Sequence, residues 1–292
     1  MEQLEPGVRL QRANNPSPMT YTGTNTYILG KREIAVIDPG PADPDHLEAI
    51  LTAVPPNARI THILVTHSHL DHSPLAHPLA QRTGAPIYAM GDSTAGRSAI
   101  MQQLAASGLV GGGEGVDPEF APDVTLSDGD VIESTDWQIK AIRTPGHFGN
   151  HVSFAMQDIV FTGDHVMGWA SSLVSPPDGD LTQFMASCDR LKTQNARVFY
   201  AGHGDPITDP HARLDWLIAH RKSREAQLVK ALDPGPATAQ ALTKTIYTDI
   251  DPRLLPAAER NVLAHLIDLM GRNLATPQGA LSATVPFALQ KP

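Results

Sequence analysis

The sequence predicts an α/β protein, and three features of the 292-residue chain lead to that prediction. Strand-like runs at 33–37 and 60–65 flank a helix-like segment at 43–54, an order typical of a crossover between parallel strands. Short strands between 124 and 161 precede a second helix at 180–194, so the arrangement occurs twice. A Pro-Gly-Pro break at 234–236 then predicts a boundary before a separate tail.

The first half begins with an alternating run at 8–10, followed by a hairpin whose strands are 25–30 and 33–37. Asp38-Pro39-Gly40 closes this hairpin, and the helix and strand of the crossover follow. Further helices are predicted at 74–82, where Gly84 is the stop, and around 99–106. The glycine-rich segment 108–115 lacks the lysine of a phosphate-binding loop, so it is interpreted as a wall or lid over a substrate, or as a plain connector.

The second half contains strands at 137–143, 152–156, 159–162 and 197–200, with helices at 180–194 and 209–232. Beyond the boundary, helices at 237–247 and 255–270 and two short strands within 273–289 predict a winged-helix-like unit. Its second helix has few cations, which favours packing or dimerisation over DNA binding. The predicted domains are therefore residues 1–232 and 233–292. Formation of a homodimer is one role expected of the second domain.

The composition is that of an ordinary folded protein, with 41% hydrophobic and 18% charged residues. No apolar run is long enough to cross a bilayer, so no membrane partner is expected. The acidic N-terminus has no apolar segment typical of a secretory signal, and Cys188 is the only cysteine, so the expected compartment is the cytoplasm. The net charge of -9 disfavours a large surface for nucleic acid, although a local basic groove is compatible with it.

The segment 66–73 has the highest density of metal-binding side chains in the chain. His67, His69, Asp71 and His72 fall within six consecutive residues, directly after the strand at 60–65. A tight turn there can direct one pair of side chains to one position and the other pair to a neighbouring position, which suggests two metals. Nitrogen and oxygen ligands without a thiolate suit Zn²⁺, and also iron or manganese.

Three more candidate ligands follow apolar strands further along the chain. They are His147 in Thr144-Pro145-Gly146-His147, Asp164 in Phe161-Thr162-Gly163-Asp164, and His203 in Ala201-Gly202-His203-Gly204. Ligands distant in sequence converge when neighbouring strands deliver them to one edge of a sheet. We therefore expect these loops to meet the histidine-rich segment.

The His-x-His-x-Asp-His pattern at 67–72, followed by these three loops in this order, resembles the signature of the metallo-β-lactamase-fold hydrolases. The resemblance implies a four-layer αββα sandwich of two sheets with helices outside. It also implies that His67, His69 and His147 bind one metal, that Asp71, His72 and His203 bind the other, and that Asp164 bridges them. This ligand set is similar to that of glyoxalase II and the RNA-processing members, and the tail resembles the C-terminal domain of the lactamase-beta-like branch.

Other residues near these loops have two interpretations each. Asp38 resembles an aspartate that supports the metal loops from behind, the alternative being a simple turn residue. His151 and His165 are candidates for a supporting or substrate-contacting role, with local hydrogen bonding as the alternative. His62 and His77 are interpreted as packing or surface residues.

The chemistry expected of such a site is hydrolysis. Two cations that share a carboxylate and a water depress the pKa of that water, so a bridging hydroxide could attack a carbonyl or phosphoryl group without a serine or cysteine nucleophile. Asp71 and Asp164 are the predicted catalytic residues. A metal-stabilised binding module is disfavoured, because a structural site would not need two adjacent metals.

Two substrate classes remain open at this stage. The acidic charge favours an ester, thioester or lactone of a small molecule, with β-lactam hydrolysis as a side activity. The alternative is a single-strand endoribonuclease, with RNA as the partner, as reported for the branch that the tail resembles. That alternative needs a basic groove leading to the metals, for which the sequence offers Arg97, Arg143, Arg221, Lys222 and Arg224.

Overall fold

Two β-sheets form the centre of the computed structural model, which describes residues 1–290. The first sheet has seven strands in the order of the chain: β1 (Glu2–Glu5), β2 (Val8–Arg12), β3 (Asn25–Leu29), β4 (Glu33–Ile37), β5 (Arg59–Leu64), β6 (Ile87–Ala89) and β7 (Val124–Thr125). Neighbours from β1 to β4 are antiparallel, and those from β4 to β7 are parallel. The loops that follow β4 and β5 therefore leave the same edge of the sheet.

The second sheet has five strands: β8 (Val131–Glu133), β9 (Gln138–Arg143), β10 (Val152–Met156), β11 (Ile159–Gly163) and β12 (Val198–Ala201). The first four form an antiparallel series, and β12 pairs with β11 in parallel. The loops that contain Asp164 and His203 consequently start side by side.

Helices cover the outer faces of both sheets. They are α1 (Pro44–Thr52), α2 (Ala76–Thr83), α4 (Leu181–Lys192) and α5 (Pro210–Leu232), whereas α3 (Ala99–Ala106) packs in the apolar cluster of the C-terminal part. Between the sheets, Leu29 and Ile37 of the first pack in one cluster with Phe154 and Phe161 of the second. A separate cluster joins α1 and α2 to the first sheet, and another joins α4 and α5 to the second. The four-layer αββα prediction is confirmed.

The C-terminal part consists of α6 (Ala239–Ile246), a short 3-10 helix (Pro252–Leu254), α7 (Leu255–Gly271), β13 (Ala275–Pro277) and β14 (Phe287–Leu289). Its apolar cluster includes Leu228 and Leu232 of α5, whereas Leu214 and Leu217 of the same helix pack under the second sheet. Because α5 belongs to both clusters, the boundary at 232/233 stays a prediction. The last two residues of the predicted tail lie outside the described part of the chain.

The structure contains short strands that the sequence pattern did not predict. β6 has three residues, too few for an alternation to be recognised, whereas β7 belongs to the short strands predicted from 124 onwards. β1 is polar and lies at the edge of its sheet, so it also lacks an apolar pattern. Among residues 1–290, no helix has both the length and the apolar character needed to cross a membrane.

Candidate metal centre

The loop 66–73 follows β5 and is anchored by Asp38, at the end of the neighbouring strand β4. The backbone N–H and the Oγ1 of Thr66 each donate to the Asp38 carboxylate at 2.7 Å. The same carboxylate lies 2.9 Å from Nδ1 of His72, which must donate because an ionised carboxylate only accepts. Asp38 has a φ of 50°, a left-handed conformation that aspartate adopts more readily than most residues. Asp38 thus holds both the start and the far end of this loop.

Three histidines from two loops form a first group of ring nitrogens. Nε2 of His67 lies 2.9 Å from Nδ1 of His69, and Nε2 of His147 lies 3.1 Å from the same atom. A tetrahedral metal with imidazole ligands at roughly 2.0–2.1 Å separates the ligand nitrogens by about 3.3 Å. The spacing is close to that value, so the three rings can hold one divalent cation.

A second group contains Asp71, His72 and His203. Nε2 of His72 lies 3.3 Å from Nε2 of His203 and 3.3 Å from Oδ2 of Asp71. Nε2 of His203 lies 3.1 Å from the same carboxylate oxygen. This triangle also has the dimensions expected of the ligands of a single cation.

Asp164 lies between the two groups. Its Oδ1 is 3.4 Å from Nε2 of His72, and its Oδ2 is 3.2 Å from Nε2 of His203. The same Oδ2 is 3.9 Å from Nε2 of His147, which belongs to the first group. One carboxylate is therefore within reach of both candidate cation positions, and the structure brings all seven predicted ligands together.

The polar atoms left without partners support a cation site. Oδ1 of Asp71 and Oδ1 of Asp164 are buried and accept no hydrogen bond from the described residues. A buried carboxylate oxygen without a donor is unfavourable unless a cation lies beside it. Several ring nitrogens also face one another at about 3 Å, and a cation bound between them accounts for this arrangement. The residues present therefore fit divalent metal.

Outer contacts orient four of the five ligand histidines through Nδ1, which leaves Nε2 directed at the centre. The partners are Thr66 Oγ1 for His67 at 3.0 Å, Asp38 for His72 at 2.9 Å, the Leu173 carbonyl for His147 at 2.7 Å and the Gly23 carbonyl for His203 at 3.2 Å. Such contacts fix the tautomer and the ring plane of a metal ligand. His69 differs, because its Nδ1 faces the other ligands.

The two ligand groups differ in charge. Burial lowers the pKa of His69 to about 3, so the first group offers neutral rings with free lone pairs. Burial acts in the same direction on His203, but the charge of Asp164 and the hydrogen bonds to both carboxylates raise its pKa to about 10. Burial opposes the ionisation of Asp71, yet His72 and His203 hold its pKa well below the usual range. The second group thus pairs ionised carboxylates with rings that retain their protons, and a divalent cation can take the place of those protons.

His151 and His165 lie near the ligands and belong to neither group. Both are fully buried, and the ring of His151 packs 5.2 Å from that of His67, centroid to centroid. Nδ1 of His151 contacts Oγ1 of Thr144 at 2.9 Å, and Nε2 of His165 contacts the sulfur of Cys188 at 3.6 Å. The structure thus places both histidines beside the ligand rings, and their supporting or substrate-contacting role stays a prediction.

Two contributors near the ligands were not singled out from the sequence. Thr24 donates from Oγ1 to Oδ2 of Asp71 at 3.2 Å and precedes β3. Gly202 leaves room for the ligands, because a Cβ there would lie 2.2 Å from Oδ1 of Asp164 and 2.7 Å from Cε1 of His72. The sequence marked this segment only as a ligand loop, and the packed loops show why glycine is required before His203.

We expect Gly202→Ala to lower metal content and activity while the fold persists, because the added methyl group must displace Asp164 or His72. Gly271→Ala is the matched control, since a Cβ there meets no atom within 4 Å. Metal analysis and circular dichroism of both variants would check this. Normal metal content in Gly202→Ala would contradict the ligand geometry.

Comparisons with known proteins agree with this architecture. The family model described as Metallo-beta-lactamase superfamily matches residues 19–203, and that of the Beta-lactamase associated winged helix domain matches residues 238–280. A metallo-beta-lactamase family protein from Thermus thermophilus superposes with a TM-score of 0.79 and 25% identity, over 99% of this chain and 100% of that chain. A beta-lactamase domain protein from Burkholderia ambifaria gives the same TM-score of 0.79 at 20% identity, over 99% of this chain and 93% of that one, and shows the fold alone.

Curated relatives span most of the chain as well. An atrochrysone carboxyl ACP thioesterase from Cryptosporiopsis is 30% identical over 83% of this chain and 68% of its own length. A beta-lactamase-like protein 2 homolog from Drosophila melanogaster is 29% identical over 87% of this chain and 85% of its own length. From the match over residues 19–203 and the histidine and aspartate cluster at the sheet edge, the chain belongs to the metallo-beta-lactamase superfamily of hydrolases and carries the associated winged-helix domain.

Proposed function

We propose that this chain hydrolyses small-molecule thioesters with two divalent cations held at the candidate metal centre. The observation that carries the proposal is the position of Asp164, which contacts ligand atoms of both groups. Relatives named as ACP thioesterases narrow the class from esters, thioesters and lactones to thioesters. Bound there, two cations would lower the pKa of a shared water and supply hydroxide near neutral pH.

The side chains of this protein would hold and orient the reacting groups. Asp164 spans the two positions, and Asp71 adds a second negative charge to one of them. Asp38 fixes the ring of His72 from behind. Cys188 is unsuited to act as a nucleophile, because it is buried and burial raises the pKa of its thiol to about 12. The chemistry would therefore depend on the metal centre.

Zn²⁺ is the proposed metal, with iron or manganese as the alternatives. Five imidazoles and two carboxylates form the ligand set, and these borderline and hard ligands suit all three metals. Elemental analysis of the purified protein would identify the metal, and we expect two ions per chain. The cytoplasmic location and the homodimer stay predictions.

Several of the cations that an endoribonuclease would need are paired, buried or dispersed. Arg97 pairs with Asp178 at 2.6 Å, and Arg221 is buried with only 3% of its surface exposed. Arg221 and Arg224 line one cavity beside α5. Lys222, which lies between them in sequence, is exposed outside that cavity. This dispersal, together with the net charge of -9, supports the small-molecule substrate over RNA.

Activity on a panel of substrates tests the proposal. The panel contains an acyl thioester, a lactone, a chromogenic lactam and single-stranded RNA, each assayed with the metal-replete protein and after chelation. We expect the highest kcat/KM on the thioester and its loss on chelation. RNA cleavage as the dominant activity, with a steep dependence on salt, would favour the endoribonuclease instead. Undiminished thioester turnover after removal of all metal would exclude the proposed mechanism.

A further inference from the structure

A cavity of about 270 Å³ lies between the loop 167–173, the middle of α5 and the segment 247–261, and we call it the α5 cavity. Most of its wall is apolar, with contributions from Met19, Met167 and Leu254. Its volume is close to the lower end for small-molecule sites, so it suits part of a ligand. The cavity therefore has the size of a subsite.

Two N–H groups of residues that line the cavity are buried behind its surface. Arg221 and Trp169 both line the cavity, and Nε of Arg221 and Nε1 of Trp169 are buried with no partner among the described residues. The remaining donors of Arg221 contact Oδ1 of Asn261 at 2.9 Å and the carbonyl of Ser172. Other atoms cover both of these N–H groups, so the guanidinium donors that a ligand in the cavity can reach are those of Arg224 that Gln227 leaves free.

The wall also carries uncompensated positive charge. No aspartate or glutamate lines the cavity, and within residues 1–290 neither Arg221 nor Arg224 has a carboxylate within 4.0 Å. Arg224 lies 4.3 Å above the ring of Tyr247 and donates to Gln227 at 2.9 Å. Two guanidinium groups without a counter-ion, in a protein of net charge -9, favour an anion.

The cavity adjoins the metal centre through the loop after Asp164. Leu173 lines the cavity, and its carbonyl is the 2.7 Å partner of Nδ1 of His147. Met167, three residues after Asp164, lines the same wall. A ligand in the cavity would therefore contact Leu173, the residue that holds His147 from its outer side.

We propose that the α5 cavity binds an anionic group of the substrate and that Arg224 recognises it. This inference rests on the proposed thioester hydrolysis. Arg224 is assigned to this recognition because it is half-buried and has free donors. Arg221, in contrast, is fixed by Asn261 and Ser172. The anion is either a carboxylate on the acyl group or a phosphate on the thiol carrier, both of which match a guanidinium.

Matched substrate pairs test the recognition. Glutaryl and pentanoyl thioesters of N-acetylcysteamine differ in an acyl carboxylate, and pentanoyl thioesters of phosphopantetheine and pantetheine differ in a phosphate. In Arg224→Gln we expect the preference for the charged member of one pair, measured as a ratio of kcat/KM, to fall by about tenfold, mainly through KM. The pair that responds identifies the source of the anion.

Lys222→Gln is the matched control, because it removes the same charge from the same helix outside the cavity. Arg224→Lys should retain part of the preference, and thermal unfolding should show that all variants are folded. Unchanged ratios for both pairs in Arg224→Gln would overturn the proposal.

Calorimetric titration provides a readout that does not depend on turnover. Two anions, pentanoate and phosphopantetheine, are titrated into the metal-replete wild type and Arg224→Gln. Pentanamide and pantetheine, which lack the respective anionic group, are titrated as the controls. Since an anion also binds to metals, the measured quantity is the difference between the two proteins. Weaker anion binding in the variant, in a protein inactive on every thioester, would retain the subsite and reject the proposed function. If the protein hydrolyses thioesters, but the two proteins bind the anions equally and show the same kcat/KM ratios, the proposed function would stand and the subsite would be rejected.

Discussion

Asp164→Asn is expected to lower kcat/KM on thioesters by at least about a hundredfold and to reduce the bound metal below two ions per chain. Asp164 is within reach of both ligand groups, so its carboxylate serves two cations at once. Loss of a group one contact further out from a metal already costs about 10–100-fold. Replacing a charged ligand oxygen by an amide should cost more. Steady-state kinetics and elemental analysis of the same preparation would measure both effects.

Asp158→Asn is the control for this substitution. Asp158 precedes β11 and Asp164 follows it, so the same change is made at opposite ends of one strand. Asp158 is exposed and pairs with Arg197 at 2.9 Å, far from the ligand loops. We expect it to retain normal metal content and turnover. Full activity of Asp164→Asn at the same metal loading would exclude a bridging role.

Asp38→Asn is expected to lower metal affinity or activity by about 10–100-fold without unfolding the protein. The carboxylate accepts from the backbone and the hydroxyl of Thr66 and from Nδ1 of His72. An amide can replace only one of its oxygens as an acceptor, so His72 or Thr66 would face an N–H group. The ring of His72 would then lose its fixed orientation. Competition with a chromogenic chelator would measure the affinity of each site.

Asp136→Asn separates this effect from general destabilisation. Asp136 also accepts three hydrogen bonds, from consecutive backbone N–H groups of Lys31, Arg32 and Glu33 at the start of β4. Asp38 lies at the other end of that strand. We expect Asp136→Asn to lower the unfolding temperature and leave metal affinity unchanged. An equal loss of metal affinity in both variants would show that Asp38 acts through stability alone.

The seven candidate ligands could be predicted because each follows an apolar strand that the residue pattern revealed. His147 follows β9, and Asp164 and His203 follow the parallel strands β11 and β12, so adjacent strand ends place them beside the 66–73 loop. The positions of the strands in the sequence were therefore largely sufficient to predict that the ligands meet. The motif order added the assignment of ligands to two groups.

The rest depends on contacts that no local pattern encodes. The partners of His147 and His203 are the backbone carbonyls of Leu173 and Gly23, and any residue type supplies a carbonyl. The distribution of the cations was equally hidden, because Arg221 and Lys222 are adjacent in sequence and differ completely in exposure. Arg221 is buried because α5 packs there against α4, the loop at Ser172 and α7.

The continuity of α5 restricts how the two parts of the molecule can move. Leu214 and Leu217 anchor one end of this helix under the second sheet, and Leu228 and Leu232 anchor the other end in the C-terminal cluster. Rigid-body motions need a flexible hinge, and an unbroken helix packed at both ends does not supply one. The α5 residues that line the α5 cavity therefore keep a fixed position relative to both apolar clusters.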